Sequence, residues 1–354
     1  MSTQDNTSVV LHKIKDIRLE PKPIRKPTKG QVQIAVHSVG ICGSDVHYWV
    51  NGGIGDFIVK SPMILGHETS GTVVELGEGV TNLKIGDRVA VEPGVPCYKC
   101  DQCMDGRYNL CPDVFFCATP PDDGTLTRLY CHDANFCFKL PDNMTYEEGA
   151  LLEPLSVGVH ACRRAEVTGG DTILICGAGP IGLVTLLTAR AFGATNIAIT
   201  DINAKRLEFA KTLGVNHTIL VDGDPQSTAK RAIELLGKMP DKSIDCVAFP
   251  PTISTAIYAT KSGGTVLLVG LGPPTSEIPI VNASVREVDI KGVFRYKGCY
   301  QKAMDMIARG LINVKPLVTH RYAMEQALEA FEMTKSGEGI KVMIKCDPTR
   351  AQLQ

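Results

Sequence analysis

Four cysteines, Cys97, Cys100, Cys103 and Cys111, stand as C-x2-C-x2-C-x7-C in a stretch that also holds Pro96, Gly106 and Pro112. Thiolates so spaced complete a tetrahedral zinc shell and leave no open position, which predicts a structural metal site. A second set is more dispersed: Cys42, within Gly40-Ile41-Cys42-Gly43-Ser44-Asp45, and the pair His67-Glu68, with 25 residues from Cys42 to His67. Cysteine, imidazole and carboxylate are all competent zinc ligands, and three protein ligands plus one exchangeable position make a catalytic arrangement. On spacing alone, His67 is equally readable as a hydrogen-bonded core histidine and Glu68 as a solvated acid. Glu153, in Leu152-Glu153-Pro154-Leu155, is an acid among apolar residues. It is either the N-terminal charge of a helix or a carboxylate buried for chemistry.

A third pattern, Gly177-Ala178-Gly179-Pro180-Ile181-Gly182, is G-x-G-x-x-G between an apolar run and a helix-like segment, and Asp201 follows 24 residues beyond Gly177. Gly179 lets the backbone approach a pyrophosphate, the helix offers its N-terminus to that charge, and Asp201 is placed to bind ribose hydroxyls. A carboxylate there repels a 2′-phosphate, so NAD is expected in preference to NADP. Lys205 and Arg206 lie close by; they read as a solvated helix face, with Arg206 placed to stack on adenine.

These residues need two different frames. Residues 1–155 carry many glycines, prolines and short runs such as 31–36 and 71–76, a mostly β pattern. Beyond about Val167, apolar runs at 172–176, 196–200, 217–221, 243–249, 265–269 and 289–294 alternate with gaps long enough for helices, such as 181–192 and 204–213. That alternation predicts a doubly wound parallel sheet over 156–295. Residues 296–354, helix-like at 301–309 and 324–334 and strand-like at 341–345, are too few for a further domain and are expected to rejoin the first. The uncharged stretch 173–189 is broken early by Gly177, Gly179, Pro180 and Gly182, so a buried strand leading into a buried helix is predicted, not a membrane span.

Composition narrows the partners. With Lys+Arg at 37 against Asp+Glu at 38, no basic excess exists to hold nucleic acid or an anionic membrane. The 13 cysteines are an odd number in a chain long enough to need no staples, which suggests reduced thiols and metal ligands. The polar opening MSTQDNTSVVLHKIKD lacks an apolar signal core, and a cytoplasmic location is expected.

Taken together, GICGSDVHYW at 40–49, LGHE at 65–68, GRYNLCP at 106–112, FFCATPPDDG at 115–124, LEPLSVGVHACRR at 152–164, GAGPIG at 177–182 and REVDIKGVFRY at 286–296 resemble the zinc-dependent medium-chain dehydrogenases. Within that family they are similar to the polyol branch, over essentially the whole chain. The resemblance implies a GroES-like β catalytic domain, a Rossmann cofactor domain and a homotetramer. It implies hydride transfer between C2 of a polyol (sorbitol, xylitol or L-iditol type) and NAD, giving a ketose. It assigns Cys42, His67 and Glu68 to a catalytic zinc, and Glu153 to the zinc-bound water or to the metal itself. Asp45 would receive the second hydrogen bond of His67. Tyr48, Phe116, Glu153, Arg295 and Tyr296 are implied as substrate contacts; the proton is expected to leave through zinc-bound hydroxide, through Glu153, or through a Ser44–His47 relay. Ile181, Asp201, Arg206, Val269, Gly270, Leu271, Val293, Phe294 and Arg295 are implied to meet the cofactor, beside Gly177, Gly179 and Gly182. All four lobe cysteines are present, so a second, structural zinc is expected. At Val247-Ala248 the family usually carries Thr-Gly, where backbone comes close to the cofactor, and Ala248 either fits or shifts that loop. Preference for xylitol or L-arabinitol, an NADP-linked ketose reductase, and a non-catalytic dinucleotide-binding protein are the alternative readings.

Overall fold

The computed structural model describes residues 6–346. The chain divides into two compact units, one taking in the residues up to Glu153 and those from Tyr300 onward, the other Pro154–Cys299.

The first unit is built on a seven-stranded sheet whose pivotal member is the strand Gln31–Gly40. Its neighbours are Glu68–Leu76 and Lys341–Lys345, both antiparallel to it, while Leu129–Asp133 pairs with its first half. Register decides what meets at the end of this sheet. Gly40 stands opposite Glu68 on one side and Met343 on the other, so Cys42, Glu68 and Lys341 converge although they lie far apart in the chain. Residues such as Val36, Val39, Ile41, Leu65, Phe331 and Ile344 are buried in one cluster beneath that end. Each such aliphatic or aromatic side chain contributes about 1.5–3 kcal/mol by leaving water, enough to hold polar ligands in one place. The helix-like reading of 301–309 and 324–334 corresponds to helices Tyr300–Ala308 and Ala327–Ser336, the latter led by a 3-10 turn Met324–Gln326.

The second unit holds six parallel strands in the spatial order His217–Leu220, Asn196–Asp201, Thr172–Cys176, Lys242–Asp245, Thr265–Leu268 and Asp289–Gly292. Strand order reverses at Thr172–Cys176, and the crevice beyond the carboxyl ends at such a reversal is where ligands bind. Ile173, Leu174, Ile175 and Cys176 are fully buried, as both-face coverage of a parallel sheet requires. The uncharged stretch becomes strand Thr172–Cys176 and helix Pro180–Ala191, started by Gly179 as N-cap with Pro180 in the first turn. Four strands end earlier than their apolar runs, those at 217–221 and 265–269 by one residue and two others by more. The run 243–249 stops at Asp245 because that carboxylate captures the amides of Val247 and Ala248, and the run 289–294 stops at Gly292. Among the described residues, no helix is long and apolar enough to cross a membrane.

Candidate metal centre and dinucleotide turn

Cys42 lies two residues beyond the strand Gln31–Gly40 and is the N-cap of the helix Gly43–Asn51. Asp45, in the first turn of that helix and fully buried, accepts the Cys42 N–H at 3.0 Å through Oδ2 and the Gly66 N–H at 2.9 Å through Oδ1. The same Oδ1 lies 3.5 Å from His67 Nδ1, an ion-pair separation rather than a good hydrogen bond. Asp45 thus locks the two ligand-bearing segments together and leaves the other imidazole nitrogen for a metal. Burial opposes its ionisation, yet the His67 ring and the two N–H donors outweigh it and hold the carboxyl below its ordinary range. The ligand atoms of Cys42, His67 and Glu68 all lie within 4.8 Å of one another.

Glu68 has a partner that the sequence did not point to. Lys341 Nζ donates to its two carboxylate oxygens at 2.6 and 2.8 Å and to Ile41 O at 3.3 Å, with both side chains buried. Burial favours loss of the lysine proton, but the charges of Glu68 and Cys42 raise its pKa overall. A β-carbon at Gly40 would push the Glu68 carboxylate out of this position. The only sequence signal for Lys341 was a lysine opening the strand KVMIK, whose middle three residues are apolar, 273 positions from its partner.

Glu153 is 6% exposed, at the start of helix Leu152–Arg164, and its charge acts on Lys341 and on Glu92. Phe116, 7% exposed, sets its ring 6.0 Å from that of His67. Tyr48 is buried with Trp49 in the hydrophobic cluster of the first unit. His47 is exposed and hydrogen-bonds Asn51 one turn along, Ser44 is half-buried, and no hydrogen bond joins Ser44 to His47. In the second unit, Arg295 has φ 49° and lays its guanidinium over the Phe294 ring at 4.9 Å, while Tyr296 is buried.

Glu92 is a further buried acid that spacing could not single out. It is 2% exposed and accepts the Tyr108 hydroxyl at 2.6 Å; burial, assisted by the Glu153 charge, pushes its pKa up to about 7. A carboxyl that holds its proton more tightly when folded stabilises most below its ordinary value of 4.5, and that contribution is lost as pH rises toward 7. The loss amounts to about 3 kcal/mol. Denaturant unfolding across pH 4.5–7 is expected to show this decline, and Glu92→Gln to flatten it; an unchanged slope in the variant would show that Glu92 is not its source.

In the cysteine lobe, the four sulfurs also lie within 4.8 Å of one another. A tetrahedron with Zn–S bonds of about 2.3 Å has edges of about 3.8 Å, so the donor set fits zinc. The Cys97 amide points at Cys111 Sγ and the Cys100 amide at Cys97 Sγ, each at 3.4 Å. Backbone N–H groups of Lys99 and Cys100 bring the Cys97 thiol down to about 7, whereas burial and the neighbouring thiols push Cys103 up to about 12, and burial raises Cys111 as well. All 13 cysteines are free of disulfides.

At the dinucleotide turn, Gly177 has φ 98°, and a β-carbon on Gly182 would collide with the Gly177 carbonyl. Glycine is needed at the first position for its backbone and at the last for close packing. Asp201, 8% exposed, accepts the Ala178 N–H at 2.7 Å and the Asn203 N–H at 2.8 Å, which fixes its carboxylate at the end of its strand. Arg206 reaches over Gly179, its Nη1 4.0 Å from where a β-carbon there would stand. Ile181, Val269, Gly270 and Val293 are half-buried and Leu271 is exposed, all at the carboxyl ends of the parallel strands or just beyond. These features fit a bound dinucleotide.

Residues 28–142 match the alcohol dehydrogenase GroES-like domain and residues 180–309 the zinc-binding dehydrogenase domain, so the class is that of dehydrogenases that bind zinc and a nicotinamide cofactor. Sorbitol dehydrogenase of Gallus gallus is 56% identical over 349 residues, 98% of each chain, and that of Homo sapiens is 55% identical over 98% of this chain and 97% of its own. Among solved structures, an oxidoreductase/dehydrogenase of unknown specificity from Escherichia coli superposes with a TM-score of 0.92 at 40% identity, covering 97% of this chain and all of that one. The chain belongs to the sorbitol dehydrogenase family of zinc-binding dehydrogenases.

Proposed function

We propose that this chain is an NAD-linked polyol dehydrogenase that exchanges a hydride between C2 of a sorbitol-, xylitol- or L-iditol-type polyol and the cofactor, yielding the ketose. What carries the reading is the Cys42–His67–Glu68 set, its histidine and glutamate buried, in a chain 55–57% identical to sorbitol dehydrogenases over nearly its whole length. Cys42, His67 and Glu68 would hold one zinc, and Cys97, Cys100, Cys103 and Cys111 a second. The first zinc, when bound, supplies a Lewis acid that lowers the pKa of a hydroxyl, and the nicotinamide accepts the hydride. Asp45 keeps His67 oriented, and Lys341 keeps the Glu68 carboxylate in place. Glu153, buried beside these charges, takes up the hydroxyl proton, and exposed His47, with Ser44 on the same helix, offers a route to solvent. Hydroxyl-rich substrates need charged and aromatic contacts, and Tyr48, Phe116, Glu153, Arg295 and Tyr296 supply that chemistry. Assembly as a homotetramer in the cytoplasm follows from the family resemblance.

Steady-state rates on a polyol panel with NAD and with NADP test this reading. Ketose and NADH should form, with NAD preferred by at least about tenfold, since Asp201 disfavours a 2′-phosphate. Asp201→Ala should narrow that ratio. Absence of NADH formation with every polyol would instead support a non-catalytic dinucleotide binder.

A further inference from the structure

Oxidation of an alcohol by NAD releases one proton with each hydride, and a buried carboxyl such as Glu153, 6% exposed, cannot hand that proton straight to bulk water. The helix that carries Glu153, Leu152–Arg164, has one face committed to packing. On that face a β-carbon at Gly158 would lie 3.0 Å from the Val184 carbonyl, and Cys162 Sγ donates to Thr185 O at 3.9 Å, both on the helix Pro180–Ala191. A helix advances about 100° per residue, so Glu153, Ser156 and His160 fall within about 60° of one another on the opposite face. They stand at positions i, i+3 and i+7, about one and two turns along.

Ser156 is fully buried and His160 is 5% exposed, yet neither Ser156 Oγ nor His160 Nδ1 has a hydrogen-bond partner among the described residues. A buried polar atom without a partner is costly, and such atoms are commonly satisfied by ordered water. Side chains one helical turn apart have β-carbons about 5–6 Å from each other, a gap that one water bridges. We propose that Ser156 and His160 form a proton relay that carries the substrate proton from Glu153 to solvent, a buried route in addition to that of His47. The Glu153 carboxyl gives its proton through water to Ser156 Oγ. Ser156 passes its own hydroxyl proton to His160 Nδ1, and the ring releases one from Nε2 to solvent, so one proton leaves for each hydride transferred. A hydroxyl both donates and accepts, and a neutral imidazole does each at a different nitrogen. Burial and the cations Arg163, Arg164 and Lys297 bring the His160 pKa down to about 4, so the ring stays neutral and does not trap the proton.

The relay rests on the polyol dehydrogenase reading, and the test keeps the two apart. Full-length, zinc-replete protein is mixed rapidly with NAD and a polyol, and NADH absorbance is followed beside a pH-indicator dye. His160→Gln keeps hydrogen-bonding groups and much of the volume but cannot pass a proton, and Ser156→Ala removes the hydroxyl. In both variants the first turnover should form NADH at the parent rate, while proton release and later turnovers slow by about tenfold. Zinc content and NADH affinity should be unchanged. Proton release that keeps pace with NADH in either variant, whatever the rate, would overturn the proposal. A slow His160→Phe beside a parent-like His160→Gln would assign the histidine to packing and overturn it as well. An unaltered chain that forms no NADH from any polyol would remove the dehydrogenase reading itself, and the relay with it.

Discussion

Replacing His67 by alanine is expected to leave one zinc per chain instead of two and to lower polyol oxidation by about a thousand-fold or more, the several kcal/mol that a Lewis acid supplies to a developing alkoxide. The size follows from how little redundancy surrounds the residue. His67 is 6% exposed, its Nδ1 side is taken up by Asp45, and the three candidate donors form one cluster within 4.8 Å. No other histidine belongs to that cluster, so alanine leaves a cysteine and a glutamate, too few for a tight zinc site. The cysteine lobe shares no ligand with it and should keep its metal. Metal analysis by mass spectrometry, paired with kcat/KM, checks both halves. Cys103→Ser should give the mirror result: the lobe zinc lost, the other retained, and the effect falling on stability more than on chemistry. Two zincs and near-normal activity in His67→Ala would exclude this histidine as a ligand.

The legibility of these features in the sequence depended on how local their determinants are. The lobe cysteines span 15 positions and the dinucleotide turn six, so spacing alone described both, and the strand Thr172–Cys176 could be read from its apolar run and the glycines that follow. The Cys42–His67–Glu68 set could not be closed from spacing, because its geometry is made by strand register, with Gly40 opposite Glu68. Where apolar patterning and a buried side chain disagreed, the side chain decided. Cys246–Phe249 continues the apolar run, yet Asp245 turns the chain by binding two successive amides. Lys341 and Glu92 were invisible for a related reason: a charge beside apolar residues is ordinary until its partner is known, and each partner lies in another segment of the chain.

Lys341→Met is expected to destabilise the metal-free protein by about 3–5 kcal/mol, the cost of leaving a buried carboxylate without its cation. Glu68 is 1% exposed, and among the described residues Lys341, through its two short Nζ contacts, is its ion-pair partner. Methionine keeps most of the side-chain volume, so a cavity contributes little and the missing charge dominates. Zinc changes the balance, since a cation held by Cys42, His67 and Glu68 would replace part of the lost attraction. Denaturant unfolding of chelator-treated and zinc-replete protein should therefore show a larger deficit without metal than with it. The double variant Lys341→Met, Glu68→Gln should recover much of the loss in the metal-free protein, because removing both charges leaves no isolated ion in the interior. A single variant within 1 kcal/mol of the parent, or a double variant as unstable as the single, would mean that Glu68 reaches solvent or protonates at little cost, and that Lys341 does not hold the carboxylate in place.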